Sequence, residues 1–146
     1  MKNKYLIVIA DYYEDIANDL LESTLKLIPK SNFIKIIKVP GVFEIPVSIS
    51  KNINKYDAFI ALGCVIKGQT PHFEFISQST TNAIMDLSIT SKKPIGNGII
   101  TCLNMKQAKA RRKKGAEAAK AVISVVSQKW ELLSLIHISE PTRRRG

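Results

Sequence analysis

An α/β fold built on a four-stranded parallel sheet is predicted for this 146-residue chain by three features of its sequence. Short apolar runs rich in branched residues recur along it. Each is followed by a longer segment whose apolar residues step by three and four. Proline and glycine stand at the joints. Strands that alternate with helices pair in parallel, because a strand reaches a parallel neighbour only through a long crossover, and a helix is the usual one.

Tyr5–Ala10 is apolar throughout, which suits a strand covered on both faces. Ile16, Leu20, Leu21, Leu25 and Ile28 then mark a helix that Pro29 ends. Phe33–Val39 reads as a second strand, placed at a sheet edge by Lys35 and Lys38. Pro40 and Gly41 turn the chain, and Pro46 fits the first turn of a short helix reaching about Asn52. Ala58–Ile66 is the longest apolar run and belongs in the middle of the sheet. Phe73, Ile76, Thr80, Ala83, Ile84 and Leu87 form a helical stripe. Pro94 precedes a fourth strand, Ile95–Thr101, in which Gly96 and Gly98 admit another backbone or a ligand. From Met105 the period is helical again, with Ala119, Val122, Ile123, Val126 and Trp130 on one face. Gly115 interrupts this segment, giving two helices or one kinked helix. The expected architecture is a three-layer α/β/α sandwich of the flavodoxin-like class, with one domain over residues 1–133.

Residues 134–146 differ in character from the body. They carry three arginines in succession, Arg143–Arg145, whereas the preceding chain has only Arg111 and Arg112. Pro141 and the lack of a helical stripe favour disorder. We expect a non-native tail, from a frameshift or translated non-coding sequence, and exclude His137 from any site.

At 146 residues the chain is about one domain, on a scale of roughly 100–200 residues per domain. The run Ala58–Ile66 is too short to cross a bilayer as a helix. Asp11 cuts the first apolar run short of a secretory signal. Cys64 and Cys102 exclude a disulfide framework and cannot alone complete a zinc site. A cytoplasmic protein without membrane, metal or cofactor is expected. The net charge of +10 is concentrated, since residues 106–120 hold 7 basic and 1 acidic side chains. A compact cluster suits a small anion such as phosphate better than nucleic acid, and on charge alone a solvated helix face is an equal reading.

In an open parallel sheet, ligands bind beyond the carboxyl ends of the strands. There the sequence places Asp11-Tyr12-Tyr13, Pro40-Gly-Val-Phe-Glu-Ile-Pro46, Lys67-Gly-Gln-Thr-Pro-His72 and the region from Cys102. A lone histidine is usually structural, but His72 on such a loop is equally a proton-transfer candidate. Lys67–Thr70 reads as the opening of a helix, where free N–H groups and Gly68 suit an anion. Glu44 serves either a ligand or the start of its own helix. Tyr12 either packs or stacks on a flat heterocycle.

Pro40-Gly-Val-Phe-Glu-Ile-Pro46, Ala61-Leu-Gly-Cys-Val-Ile-Lys-Gly-Gln-Thr-Pro-His-Phe73 and Lys114-Gly-Ala-Glu-Ala-Ala119 occur in order and on the expected elements. Together they resemble the 6,7-dimethyl-8-ribityllumazine synthase family over about residues 3–130. The resemblance implies a cofactor-independent transferase of riboflavin biosynthesis. It would condense 5-amino-6-(D-ribitylamino)uracil with 3,4-dihydroxy-2-butanone 4-phosphate, releasing phosphate and water.

It implies His72 as general acid/base and Arg111 as the phosphate ligand, aided by backbone N–H groups at Gly68, Gln69 and Thr70. Lys114 would add positive charge. Glu44 with Gly41, Val42 and Phe43 would hold the ribityl chain, and Tyr12 would stack on the pyrimidine. Val65 and Ile66 would meet the uracil edge through their backbone, beside Cys64. Neither Cys64 nor Cys102 is expected as a nucleophile. Family members form pentamers, decamers or sixty-subunit shells with sites between subunits, so Asn97, Arg111 and Lys114 would come from a neighbouring copy.

Three features depart from the family pattern. Lys67 stands for an arginine, and Leu103 for an acidic or polar residue. Only Arg112 and Lys113 separate Arg111 from Lys114, where the family has a longer spacing. The alternative reading is therefore a catalytically silent assembly protein of the same fold. A polyanion binder using Lys106–Lys120 is the more distant rival.

Overall fold

The structure, a computed structural model, describes residues 2–130. The proposed tail at 134–146 and the domain limit at residue 133 lie outside the described residues. Four strands form one parallel sheet: β1 (Lys4–Ala10), β2 (Phe33–Val39), β3 (Ala58–Ile66) and β4 (Ile95–Cys102). Their order is β2-β1-β3-β4. The helices are α1 (Glu14–Leu25), α2 (Ile45–Lys51), α3 (Phe73–Ser91), α4 (Met105–Ala110) and α5 (Gly115–Val126).

The two sheet faces are covered by different helices, which is why the central strands carry no polar alternation. Ile7, Ile9, Ile60 and Leu62 point to the face where Leu20 of α1 and Val122 of α5 pack. Leu6, Val8, Phe59 and Ala61 point to the other, against Ile45 and Ile49 of α2 and Ile84 of α3. Every residue of β3 is buried. The edge strand β2 is only partly covered instead, with Phe33, Lys35, Ile36 and Lys38 exposed. This is the three-layer sandwich and strand order of the flavodoxin-like class.

Two local readings change. The first helix ends at Leu25 rather than Ile28, because the Lys26 and Leu27 N–H groups bond back to Glu22 and Thr24 at 3.2 and 3.1 Å. Ile28 is nevertheless buried as a loop residue. The interruption in the last helical segment is the turn at 111–114, not Gly115. Gly115 opens α5 at a point where a Cβ would strike the Leu20 carbonyl and the Thr24 hydroxyl of α1. Its missing side chain is what lets the two helices of one layer touch. In β4, the absent Cβ of Gly96 makes room for α5, since it would stand 2.7 Å from Val122 Cγ2. None of the described helices is long and apolar enough to cross a membrane.

Gly115→Ala should therefore destabilise the fold by about 1–3 kcal/mol through overpacking against backbone. Gly68→Ala, where a Cβ meets nothing within 4 Å, should stay within about 0.5 kcal/mol. Urea unfolding of the two variants checks the contrast, and equal stabilities would refute it.

Candidate active site

Strand order reverses between β1 and β3. The chain leaves β1 to reach β2 on one side, then returns past β1 to β3 on the other. The helices after β1 and β2 lie on opposite faces, so a crevice opens at the carboxyl ends of β1 and β3. A cavity of about 310 Å³ occupies it. Ala10, Tyr12 and Tyr13 line it from the first loop, and Pro40, Gly41, Val42 and Phe43 from the second. Cys64 and Val65 at the end of β3 continue into Gln69, Thr70 and Pro71, with Ile76 from α3. A larger hollow of about 690 Å³ lies at the amino ends of the strands, beside Lys4, Phe33 and Tyr56, away from these loops.

Within the cavity two aromatic rings lie open and a third is tied to a polar group. Tyr12 is 73% exposed and Phe43 57% exposed, so both rings present free faces. Tyr13 lies edge-on to Tyr12, with centroids 4.9 Å apart and planes at 87°. Its hydroxyl donates to Gln69 Oε1 at 2.7 Å. Burial, chiefly, with Cys64 and Tyr12 nearby, pushes the Tyr13 phenol above its usual value, so it remains a proton donor. The Cys64 thiol is pushed up to about 12 by burial and by the adjoining Cys102. A thiol held protonated is a poor nucleophile.

Of the residues selected from sequence, the fold gathers Tyr12, Gly41, Val42, Phe43, Cys64, Val65, Gln69 and Thr70 around this one cavity. Others stand apart from its lining. Glu44 is exposed and turned back on its own loop, where Oε1 accepts the Gly41 N–H at 3.0 Å. Ile66 points into the core. Lys67–Gln69 form a separate 3₁₀ turn rather than the opening of a helix. α3 begins later, at Phe73, with His72 preceding it in a left-handed conformation (φ 56°, ψ 41°). His72 is exposed, one residue beyond the cavity wall at Pro71.

Asn97 lies exposed on the edge strand, its Oδ1 accepting the Ile99 N–H at 3.0 Å. Arg111 follows α4 and sends Nη1 to the Thr101 carbonyl at 2.9 Å, at the carboxyl end of β4. Arg112 pairs with Asp19 at 3.4 Å, and Lys114 with Glu117 at 3.6 Å. The short turn between Arg111 and Lys114 thus ties one basic residue to α1 and another to α5. Among the described residues no group of three or more His, Cys, Asp or Glu is placed to hold a metal ion.

The family model for 6,7-dimethyl-8-ribityllumazine synthase matches residues 2–129. The chain belongs to that family. It is 40% identical to 6,7-dimethyl-8-ribityllumazine synthase 1 of Rhodopseudomonas palustris, over 88% of this chain and 87% of that one. The 6,7-dimethyl-8-ribityllumazine synthases of Bartonella bacilliformis and Agrobacterium fabrum are 41% and 38% identical. Those alignments cover 85% and 90% of this chain, and 88% and 97% of the relatives.

Within this member of the family, Tyr13 is the polar wall residue that reading the sequence passed over. Its place beside Tyr12 was visible, but a partner 56 residues away was not. Pro40, Pro71 and Ile76 were likewise missed as wall residues, since apolar or turn-forming side chains carry no chemical signature.

The raised Cys64 value has a measurable consequence. The unfolded thiol ionises near 9.0, the folded one only near 12. Its neutral form therefore stabilises the fold fully below about pH 9, and that contribution is lost as pH rises from about 9 to 12. Relative to Cys64→Ala, the unmodified chain should lose unfolding free energy between pH 8 and pH 10.5, as read by urea denaturation. A constant difference across that range would refute the assignment.

Proposed function

We propose that this chain is a working 6,7-dimethyl-8-ribityllumazine synthase. It condenses 5-amino-6-(D-ribitylamino)uracil with 3,4-dihydroxy-2-butanone 4-phosphate in the cavity at the β1–β3 crevice. The observation that carries the reading is the composition of that cavity within a chain of this family. An exposed aromatic ring, Tyr12, forms one wall and the Gln69–Thr70 turn another. A flat pyrimidine and a phosphorylated chain need those two surfaces at once.

The chemistry requires neither oxidant nor reductant. The pyrimidine's primary amine attacks the ketone and water leaves to form an imine. Phosphate is eliminated to give an enol that tautomerises to a carbonyl. The ribityl-bearing amine attacks that carbonyl, closing the ring with loss of a second water. Each step moves protons near neutral pH, a task that suits the imidazole of His72. Tyr12 stacks on the pyrimidine, while the backbone at Val65 and Ile66, with Cys64 beside it, meets the uracil edge. Gly41, Val42, Phe43 and Glu44 take the ribityl chain. The bond from Glu44 to the Gly41 N–H supports this reading, since it fixes the turn around an acceptor with oxygen lone pairs to spare.

The phosphate falls to the backbone around Gly68, Gln69 and Thr70 and to Arg111. The bond from Arg111 to Thr101 uses one guanidinium N–H and leaves others for phosphate oxygens. Lys114 adds charge. Asn97, Arg111 and Lys114 stand on β4 and the segment after it, outside the cavity lining of their own chain. We assign them, as the family resemblance implies, to the site of an adjacent copy in a homo-oligomer, whether pentamer, decamer or sixty-subunit shell. The exposed apolar residues Phe43, Val47, Phe75, Met85 and Ile89 favour such association. One domain through residue 133 suffices for this, with 134–146 outside the site. The enzyme is placed in the cytoplasm, where phosphorylated metabolites are retained.

Product formation above the spontaneous condensation rate, followed by lumazine absorbance and fluorescence, is the expected result. Background-rate product from an assembled sample would favour the silent alternative instead. His72→Ala should lower turnover roughly 10²-fold without changing assembly. Arg111→Ala should raise the KM of the phosphorylated ketone roughly tenfold or more, the scale of a lost charge-assisted hydrogen bond. Light scattering on the active fraction tests the shared site, and a fully active monomer would refute it.

A further inference from the structure

The two surfaces that would hold the two substrates belong to different parts of the chain. Tyr12 lies after β1, and the Lys67–Gln69 turn lies after β3. β1 and β3 are hydrogen-bonded neighbours, but the register ends at Ile9↔Leu62, short of both loops. The turn itself is weakly held. Lys67, Gly68 and Gln69 are all exposed, and the space beside Gly68 is open. The ion pair of Lys67 with Glu74, at 3.2 Å, lies on the surface, where such pairs contribute little.

Tyr13 spans this gap. Its hydroxyl donates to Gln69 Oε1 at 2.7 Å, and its ring meets the Tyr12 ring at 4.9 Å. One side of Tyr13 lines the cavity, and the other borders a second hollow beside Met105, Lys109 and Arg112. The side chain is a partition with both ends engaged, one on the stacking residue and one on the turn.

We propose that Tyr13 is a positioning residue for the condensation. Its hydroxyl holds Gln69, and with it the phosphate-facing turn at Gly68–Thr70, at a fixed separation from the Tyr12 ring. The inference rests on the catalytic reading given above and adds how the two half-sites are kept in register. A reaction that depends on presenting an amine to a ketone at near-contact distance is sensitive to that separation. The phenol's elevated ionisation range keeps it a donor throughout the neutral range.

Tyr13→Phe retains the ring and its edge contact with Tyr12 but removes the donor. In the unmodified homo-oligomer background, kcat/KM for the phosphorylated ketone should fall about three- to tenfold, the scale of one neutral hydrogen bond. The KM for the ribitylaminouracil, which meets Tyr12, should change less than twofold. Gln69→Ala removes the same bond from the other end, so the double variant should be no worse than the poorer single one. Amide hydrogen exchange gives a readout independent of turnover: residues 67–70 should exchange faster in Tyr13→Phe, while β1 and β3 stay protected. A rise in the KM of the ribitylaminouracil as large as that for the phosphorylated ketone, additive variants, or unchanged exchange at 67–70 would each overturn the proposal. An unmodified chain at the background rate, with faster exchange in Tyr13→Phe, would sink the catalytic reading while leaving the Tyr13 tether established.

Discussion

β3 has a hydrogen-bonded strand on each edge and helices over both faces, and every one of its side chains is buried. A polar group in such a strand would lose its water without gaining a partner, at a cost of several kcal/mol by order of magnitude. The strand therefore carries Ala-Phe-Ile-Ala-Leu-Gly-Cys-Val-Ile and nothing else. Chemistry is displaced to its carboxyl end, where the chain first emerges at Lys67. The same constraint acts on β1, buried from Tyr5 to Ala10 and released at Asp11. Two adjacent strands that surface side by side, with crossovers on opposite faces, leave one crevice between their loops. The cavity's position follows from that topology before any functional side chain is considered.

The basic cluster illustrates how charge is distributed once the chain has folded. Residues 106–120 look like one block in the sequence, but α4, a turn and α5 divide them. Arg112 is committed to Asp19 of α1, Lys114 to Glu117 within α5, and Arg111 to a strand-end carbonyl. These are exposed contacts of modest strength, so they orient the side chains more than they stabilise the fold. The short turn places its charge at separate points around the end of β4, so what reads as one compact block in the sequence is divided in the fold.

Much of this was legible from residue order. β2 and β3 fall at the predicted bounds, because Pro40 and Lys67 punctuate their ends sharply. The sheet edge at β2 followed from Lys35 and Lys38, and the close approach at Gly96 from glycine in a strand. What misled was information held elsewhere in the chain. Gly115 reads as a helix breaker by propensity, whereas its role is set by the Leu20 carbonyl and Thr24 hydroxyl of a distant helix. Lys67–Thr70 reads as the start of α3, yet Pro71 and the left-handed His72 separate the two. The segments around the site were recognisable because they follow the carboxyl ends of predicted strands and because their residue order resembles the family's motifs. The Tyr13–Gln69 bond was not, since two loops far apart in sequence meet only once the strands pair.

These observations together bear on how precise a site built from loops can be. Strand ends are fixed by the core to within the tolerance of packed side chains, so Ala10, Cys64 and Val65 form a rigid floor. The walls are exposed turns whose backbone is held by few contacts, and a condensation of two substrates needs those walls at a set distance. Two kinds of reinforcement are available to such a fold. One is internal, as where Glu44 closes the Gly41 turn and Tyr13 ties the first loop to the third. The other is external and belongs to the proposed homo-oligomer, in which a neighbouring copy would cover exposed apolar residues such as Phe43 and Phe75 and bring its own charged groups to the rim. Internal ties set the geometry of each wall before association. In the proposed assembly a neighbour would then dock against a formed surface, and the entropy of ordering the loops would not weigh against association.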